Sequence, residues 1–332
     1  MKKEIQYQQD VFSNFFPVAK GVWGMKDIFV NVYMVLNPFD GTWVLIDTGL
    51  KTAASKIKKM AAQLFGEGSK PSAILLTHGH FDHVGSLAAL CEEWNVPVYA
   101  HYLEVPYLTG KASYPPPDPT VGGGLMSTMS FLYPNSPMNI WNRLSVLPED
   151  GVVPGLPEWK YIHTPGHAPG HVSYYRESDD VLIVGDAFVT TKNESAFSVL
   201  FQTKKVSGPP KYFTYDWSMS RQSVKALTKL EPAVVATGYG KPMHGTELRR
   251  GLHQLSDNFY DEAVPSSGRY VNEPAVADAT GFVYIPPVTR NPRKRVLQIL
   301  AVTATLSMAF VLLNRKGKDD NKRKELFLYE TF

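Results

Sequence analysis

The chain has one cysteine, Cys91, in 332 residues. A lone thiol forms no intrachain disulfide and cannot build a cysteine-based zinc site. It sits in the run Ser86-Leu87-Ala88-Ala89-Leu90-Cys91, an apolar helical face that makes it a buried, inert packing group. Net charge is also scarce, with 34 Lys and Arg against 31 Asp and Glu. The excess is confined to one end: from Arg290 onward ten Lys and Arg meet four Asp and Glu, so the tail carries +6 and the preceding body about −3. A faintly acidic body excludes a nucleic-acid surface built on bulk basic charge. A secretory leader is not expected either, because Gln6, Gln8, Gln9 and Asp10 interrupt any apolar stretch after Lys2 and Lys3. The body is therefore expected on the cytoplasmic side.

What is present is the composition of a folded protein, 44% hydrophobic and 12% aromatic. Short apolar runs at Ile28–Leu36 and Trp43–Ile46 read as strands joined by a turn at Asn37-Pro38-Phe39-Asp40-Gly41. Helical spacing follows over Lys51–Phe65, then a buried strand at Ala73–Leu76, a helix over Leu87–Trp94 and a strand at Val96–Ala100. The rhythm resumes with strands at Trp159–His163, Val172–Tyr175, Val181–Val184 and Ala233–Ala236, and helices over Asp216–Leu230 and Glu247–Glu262. Two runs of strands followed by helices suggest two packed sheets with helices outside. Residues 1–264 form the expected catalytic body. Within it, 104–150 is a Pro- and Gly-rich insertion that, with Tyr102 just ahead of it, carries Tyr107, Tyr114, Phe131, Tyr133 and Trp141, read as an ordered lid or pocket wall. A linker is expected over 265–292, and then a basic-flanked hydrophobic helix and tail over 293–332. Residues 296–313 hold no charge between Arg293-Lys294-Arg295 and Arg315-Lys316, the layout of a membrane span. A helix docked on the body is the other reading of that run, and leaves the protein soluble.

The chemistry concentrates in Thr77-His78-Gly79-His80-Phe81-Asp82-His83. Three imidazoles and a carboxylate converge where Gly79 permits a tight turn, a donor set that suits zinc and also iron or manganese. Further on, His167 follows Pro165-Gly166 in a turn, and Asp186 follows the apolar strand ending in Gly185. Each alone is weak; together they supply what two ions need.

The segment His78–His83 resembles the HxHxDH motif of the metallo-β-lactamase superfamily. His163–His167 is similar to its third-histidine loop, Gly185-Asp186 to its bridging aspartate, and Leu45-Ile46-Asp47-Thr48-Gly49 to an early strand end that supports the site from behind. The resemblance spans roughly Val18 to Phe259. It implies an αβ/βα four-layer sandwich of the α/β class, with one or two Zn(2+) ions in a groove at the sheet edges. By position one metal takes His78, His80 and His167 and the other Asp82 and His83, with Asp186 between them; Asp82 orients the nucleophile and serves as the catalytic acid–base. His171, in Gly170-His171, resembles the glyoxalase II and lactonase form of the motif and is placed behind the ligands or in the pocket. One departure stands out. Where two-metal relatives carry Gly-His-Gly, this chain has Gly238-Tyr239-Gly240. Tyr239 can ligate as phenolate or donate a hydrogen bond to substrate, and His244 can instead fill the gap as a replacement ligand. His101, bordering the aromatic loop, reads equally as structural or functional, and His253, on the last helix, reads as a surface residue.

The resulting expectation is hydrolysis of a small ester, thioester or lactone by water that coordination has made acidic. A membrane-tethered metal-binding protein with weak or no hydrolysis is the alternative.

Overall fold

In a strand, alternate side chains leave opposite faces, and Trp43-Val44-Leu45-Ile46 shows how this chain uses that rule. Trp43 and Leu45 pack outward beneath helices, whereas Val44 and Ile46 pack inward against a second sheet. A computed structural model describes residues 15–288. The chain divides into units 1–287 and 288–332.

In order, the elements are β1 (Phe15–Ala19), β2 (Val22–Asp27), β3 (Val30–Leu36), β4 (Trp43–Ile46), α1 (Ala54–Phe65), β5 (Ala73–Leu75), α2 (Phe81–Val84), α3 (Leu87–Trp94) and β6 (Val98–Ala100). The insertion holds α4 (Val105–Leu108), α5 (Leu125–Thr128) and β7 (Leu144–Val146). Then come β8 (Trp159–His163), β9 (Val172–Arg176), β10 (Val181–Gly185), α6 (Ala196–Phe201), α7 (Trp217–Thr228), β11 (Val234–Thr237), β12 (Met243–His244), α8 (Gly245–Asp257), α9 (Phe259–Glu262), β13 (Val276–Asp278) and β14 (Gly281–Tyr284).

One sheet runs β1 to β7 in sequence order and the other β12-β11-β10-β9-β8. The first is antiparallel from β1 to β4 and parallel from β4 to β7, because α1 and α3 carry the chain back across its outer face. Ile57, Met60 and Ala61 of α1 and Leu87, Leu90, Cys91 and Trp94 of α3 cover that face. On the other sheet's outer face, Trp217, Val224 and Leu227 of α7 and Leu248, Leu252 and Leu255 of α8 do the same. Tyr33, Val35, Val44, Ile46 and Leu75 meet Val172, Tyr174, Val181 and Ile183 between the sheets. The outcome is a four-layer, mixed α/β sandwich. Truncating such a core side chain, Ile46→Ala for instance, costs about 2–5 kcal/mol.

Several boundaries differ from the sequence reading. Ile28 is 61% exposed with φ 58°, in the turn between β2 and β3, so the strand begins at Val30. The last helix breaks at Asn258 (φ −111°, ψ 33°) into α8 and α9. Residues 265–287 are not a bare linker: Tyr270 and Ala275 are buried with Tyr215, and β13 and β14 pair as a hairpin. In the insertion, Tyr107 and Tyr114 are buried, whereas Phe131 and Trp141, and Tyr102 just before it, face solvent. The hydrophobic helix expected over 296–313 lies outside the described residues. Among the described residues, no helix is long and apolar enough to cross a membrane.

Candidate metal centre

β5 ends at Leu75, and the chain turns through Thr77-His78-Gly79-His80 into α2 at the strand's C-terminal edge. His78 Nε2 lies 2.9 Å from His80 Nδ1, which lies 2.9 Å from His167 Nε2. These three nitrogens form one potential ligand group, and His78, His83 and Asp186 form a second. Asp186 Oδ2 stands between the two, 3.4 Å from His167 Nε2 and 3.5 Å from His83 Nε2. Each of these five side chains is at most 3% exposed.

Asp47 has a left-handed backbone, φ 61°, a strained state for a residue with a Cβ. Its carboxylate receives the Thr77 N–H at 2.8 Å, the Thr77 hydroxyl at 2.7 Å and His83 Nδ1 at 2.8 Å. Having given its hydrogen to Asp47, the Thr77 hydroxyl accepts from His78 Nδ1 at 3.0 Å, which leaves His78 Nε2 a bare lone pair facing the centre. Hydroxyls fix His171 in the same way. Ser173 donates to the Val184 carbonyl, Thr164 donates to Ser173, and His171 Nδ1 therefore donates to Thr164. His171 Nε2 then accepts the Asp186 N–H at 2.9 Å, holding the aspartate from behind.

These residues fit a metal. Burial, reinforced by the neighbouring imidazoles, holds the pKa of His78, His80 and His167 well below the usual range, so they stay neutral and offer lone pairs. His83 goes the other way: burial opposes its charge, but Asp186, Asp47 and Asp82 outweigh that and raise its pKa well above normal. A cluster that charges a buried histidine is one that calls for a cation. His83 Nε2 and Asp186 Oδ1 are also buried without a hydrogen-bond partner.

Asp82 stands apart from both ligand groups. Its Oδ2 accepts a hydrogen bond from the Tyr239 hydroxyl. Tyr239 is 2% exposed and stacks on Phe29 with an interplanar angle of 4°. Burial first, then the Asp82 charge, push the phenol well above its ordinary pKa, so it is a neutral donor here. His244 belongs to neither group. β12 pairs with β11 through Val234↔His244 and Val235↔Met243, and alternation buries Met243 while turning His244 to solvent. The stand-in role suggested for His244 is thus removed by strand register. His101 stacks on His163 at 4.1 Å, and exposed His253 pairs with Glu231.

A roof of rings closes the centre. Phe213 stacks on His80 at 4.5 Å, Tyr114 lies 4.5 Å from the same imidazole, and Tyr133 lies 5.6 Å from Phe81. Tyr212 is tied to Asn193, whose Nδ2 donates to its hydroxyl at 2.9 Å. The sequence reading passed over Tyr212, Phe213 and Asn193, although the run Tyr212-Phe213-Thr214-Tyr215 was an available aromatic signal.

The sequence model of the metallo-beta-lactamase superfamily matches residues 25–239, a span holding both ligand groups. The chain belongs to that superfamily. YflN of Bacillus subtilis, a probable metallo-hydrolase, is 44% identical over 243 residues, covering 73% of this chain and 92% of its own. A second probable metallo-hydrolase of that organism, YybB, is 28% identical over 197 residues, 59% of this chain and 75% of the relative. A beta-lactamase domain protein from Burkholderia ambifaria shares the fold, with a TM-score of 0.51 at 23% identity over 74% of this chain and 76% of that one. Members of the superfamily are hydrolytic and hold one or two metal ions, so this chain is a metal-dependent hydrolase with a His/Asp cluster able to hold its metal.

Proposed function

We propose that the protein hydrolyses a small ester, thioester or lactone with an apolar acyl part, in the manner of the glyoxalase II and lactonase branch, using zinc. The observation that carries this is the ring-lined roof. Phe213 and Tyr114 pack on His80 of the three-imidazole group, and Phe81 and Tyr133 pack in turn on Phe213, while Asp186 lies among the ligands. Apolar walls with a few converging polar groups suit an acyl substrate better than a polyanion.

In this reading His78, His80 and His167 would hold one ion and His83 the other, with Asp186 shared; Asp82, placed on the second ion by sequence position, lies in neither ligand group and is kept for proton transfer. When bound, the ions polarise the substrate carbonyl and lower the pKa of coordinated water. Asp47 fixes the His83 ring, and His171 fixes Asp186. Tyr239 holds Asp82 by Oδ2, which leaves Oδ1 to take a proton from the attacking water and pass it to the leaving group. The roof excludes bulk water around that transfer. The apolar run 296–313 between basic flanks supports tethering of this domain to a membrane; deleting 291–332 should then release it to the soluble fraction, and full-length protein already soluble ends that reading.

The test is metal content together with turnover of a panel of lactones, thioesters and phosphodiesters by the full chain. At least one ion per chain and preference for apolar acyl substrates are expected. Turnover confined to phosphodiesters rejects the acyl reading, and metal below one per chain with no turnover rejects the site assignment.

A further inference from the structure

Glu104 belongs to no motif, yet it is 1% exposed and stands where the insertion leaves β6. Its two oxygens go to different loops. Oε2 accepts the N–H of Gly79 at 2.9 Å, between His78 and His80, and Oε1 accepts the N–H of Gly170 at 2.7 Å, in the loop that carries His167. The Tyr114 hydroxyl also donates to Oε2. Both glycines lie against this group: a Cβ at Gly170 would meet Glu104 Cγ at 2.8 Å, and one at Gly79 would meet the Tyr114 hydroxyl at 3.0 Å.

No lysine or arginine pairs with Glu104 among the described residues. A buried carboxylate without a cation is costly, and burial pushes its pKa up to about 7 against the pull of its three donors. An amide would avoid that cost, but it has one acceptor oxygen where a carboxylate has two. Only the carboxylate can accept from both loops at once.

We propose that Glu104 is a positioning residue, a staple whose two oxygens set the spacing of the two histidine loops and so the convergence of His78, His80 and His167. The inference rests on reading those histidines as metal ligands. Tyr114, whose ring packs on His80, extends the same staple into the insertion.

The test compares full-length wild type, Glu104→Gln, Glu104→Ala and Tyr114→Phe. Zinc alone is the probe, its affinity is measured by chelator competition, and the melting temperature of each metal-free protein is recorded. Glu104→Gln should bind zinc about 10–100-fold more weakly, the usual scale for residues that orient ligands, and should melt near wild type without metal because a buried charge has been removed. Glu104→Ala should lose at least as much affinity, and Tyr114→Phe, which keeps both backbone contacts, only a few-fold. Wild-type affinity in Glu104→Gln overturns the staple alone, as does a loss matched by an equal fall in metal-free melting. Wild type that takes up no zinc overturns the metal-site reading and the staple with it.

Discussion

The two candidate ligand groups share His78 but are held in place by different means. In the three-imidazole group, His80 Nε2 and His167 Nδ1 lack hydrogen-bond partners, and packing positions the His80 ring, with Phe213 and Tyr114 against it. In the second group the ligands are fastened by hydrogen bonds, His83 by Asp47 and Asp186 by His171. The first is neutral and apolar-backed, the second anionic and polar-backed. A neutral nest of lone pairs depends on geometry for its affinity, whereas a group that includes the Asp186 carboxylate attracts a cation through charge and uses hydrogen bonds to hold its members in place.

That contrast can be broken in stages. Removing a first-group ligand should have the largest effect: His167→Ala is expected to lower turnover on the order of a thousandfold, checked by steady-state kinetics alongside metal content. Asp82→Asn should cost roughly a hundredfold or more in kcat while the zinc content of the three-imidazole group holds, which separates a proton-transfer role from metal holding. Asp47→Asn should weaken metal binding about 10–100-fold, seen by chelator competition; a larger loss there than in Thr77→Val would confirm that the second group depends on the Asp47 charge. Tyr239→Phe, which removes a charge-assisted hydrogen bond, should cost roughly tenfold in rate, and Tyr239→His should raise metal stoichiometry if the second group lacks a nitrogen. His244→Ala should change nothing; loss of metal in that variant would contradict the strand register described for β12.

The fold was legible because its strands alternate and its helices carry one-faced apolar spacing. The helix Leu87–Trp94 and the strand Trp159–His163 were read to the residue. The HxHxDH cluster, His167 and Asp186 were visible as polar residues at the ends of apolar strands. Residues acting through the backbone of distant loops were not. Glu104 is one acid among many in the sequence, and only the fold brings it to Gly79 and Gly170. The fate of His244 was also illegible, since it turns on one step of alternation in a two-residue strand.

Tyr239 stands on a fixed mount. Gly238 lies so close beneath Asp186 that an added Cβ would fall 2.0 Å from Oδ1. The Tyr239 carbonyl is gripped by the Thr190 N–H at 3.1 Å and the Thr237 hydroxyl at 2.6 Å, and the Asn31 amide spans the carbonyls of Thr237 and Gly240 at 2.9 and 2.7 Å. None of these bonds uses the phenol. Position 239 is thus a socket: its frame is set by neighbours, and the side chain plugged into it can be exchanged, phenol for imidazole, without re-threading the strand end that presents it.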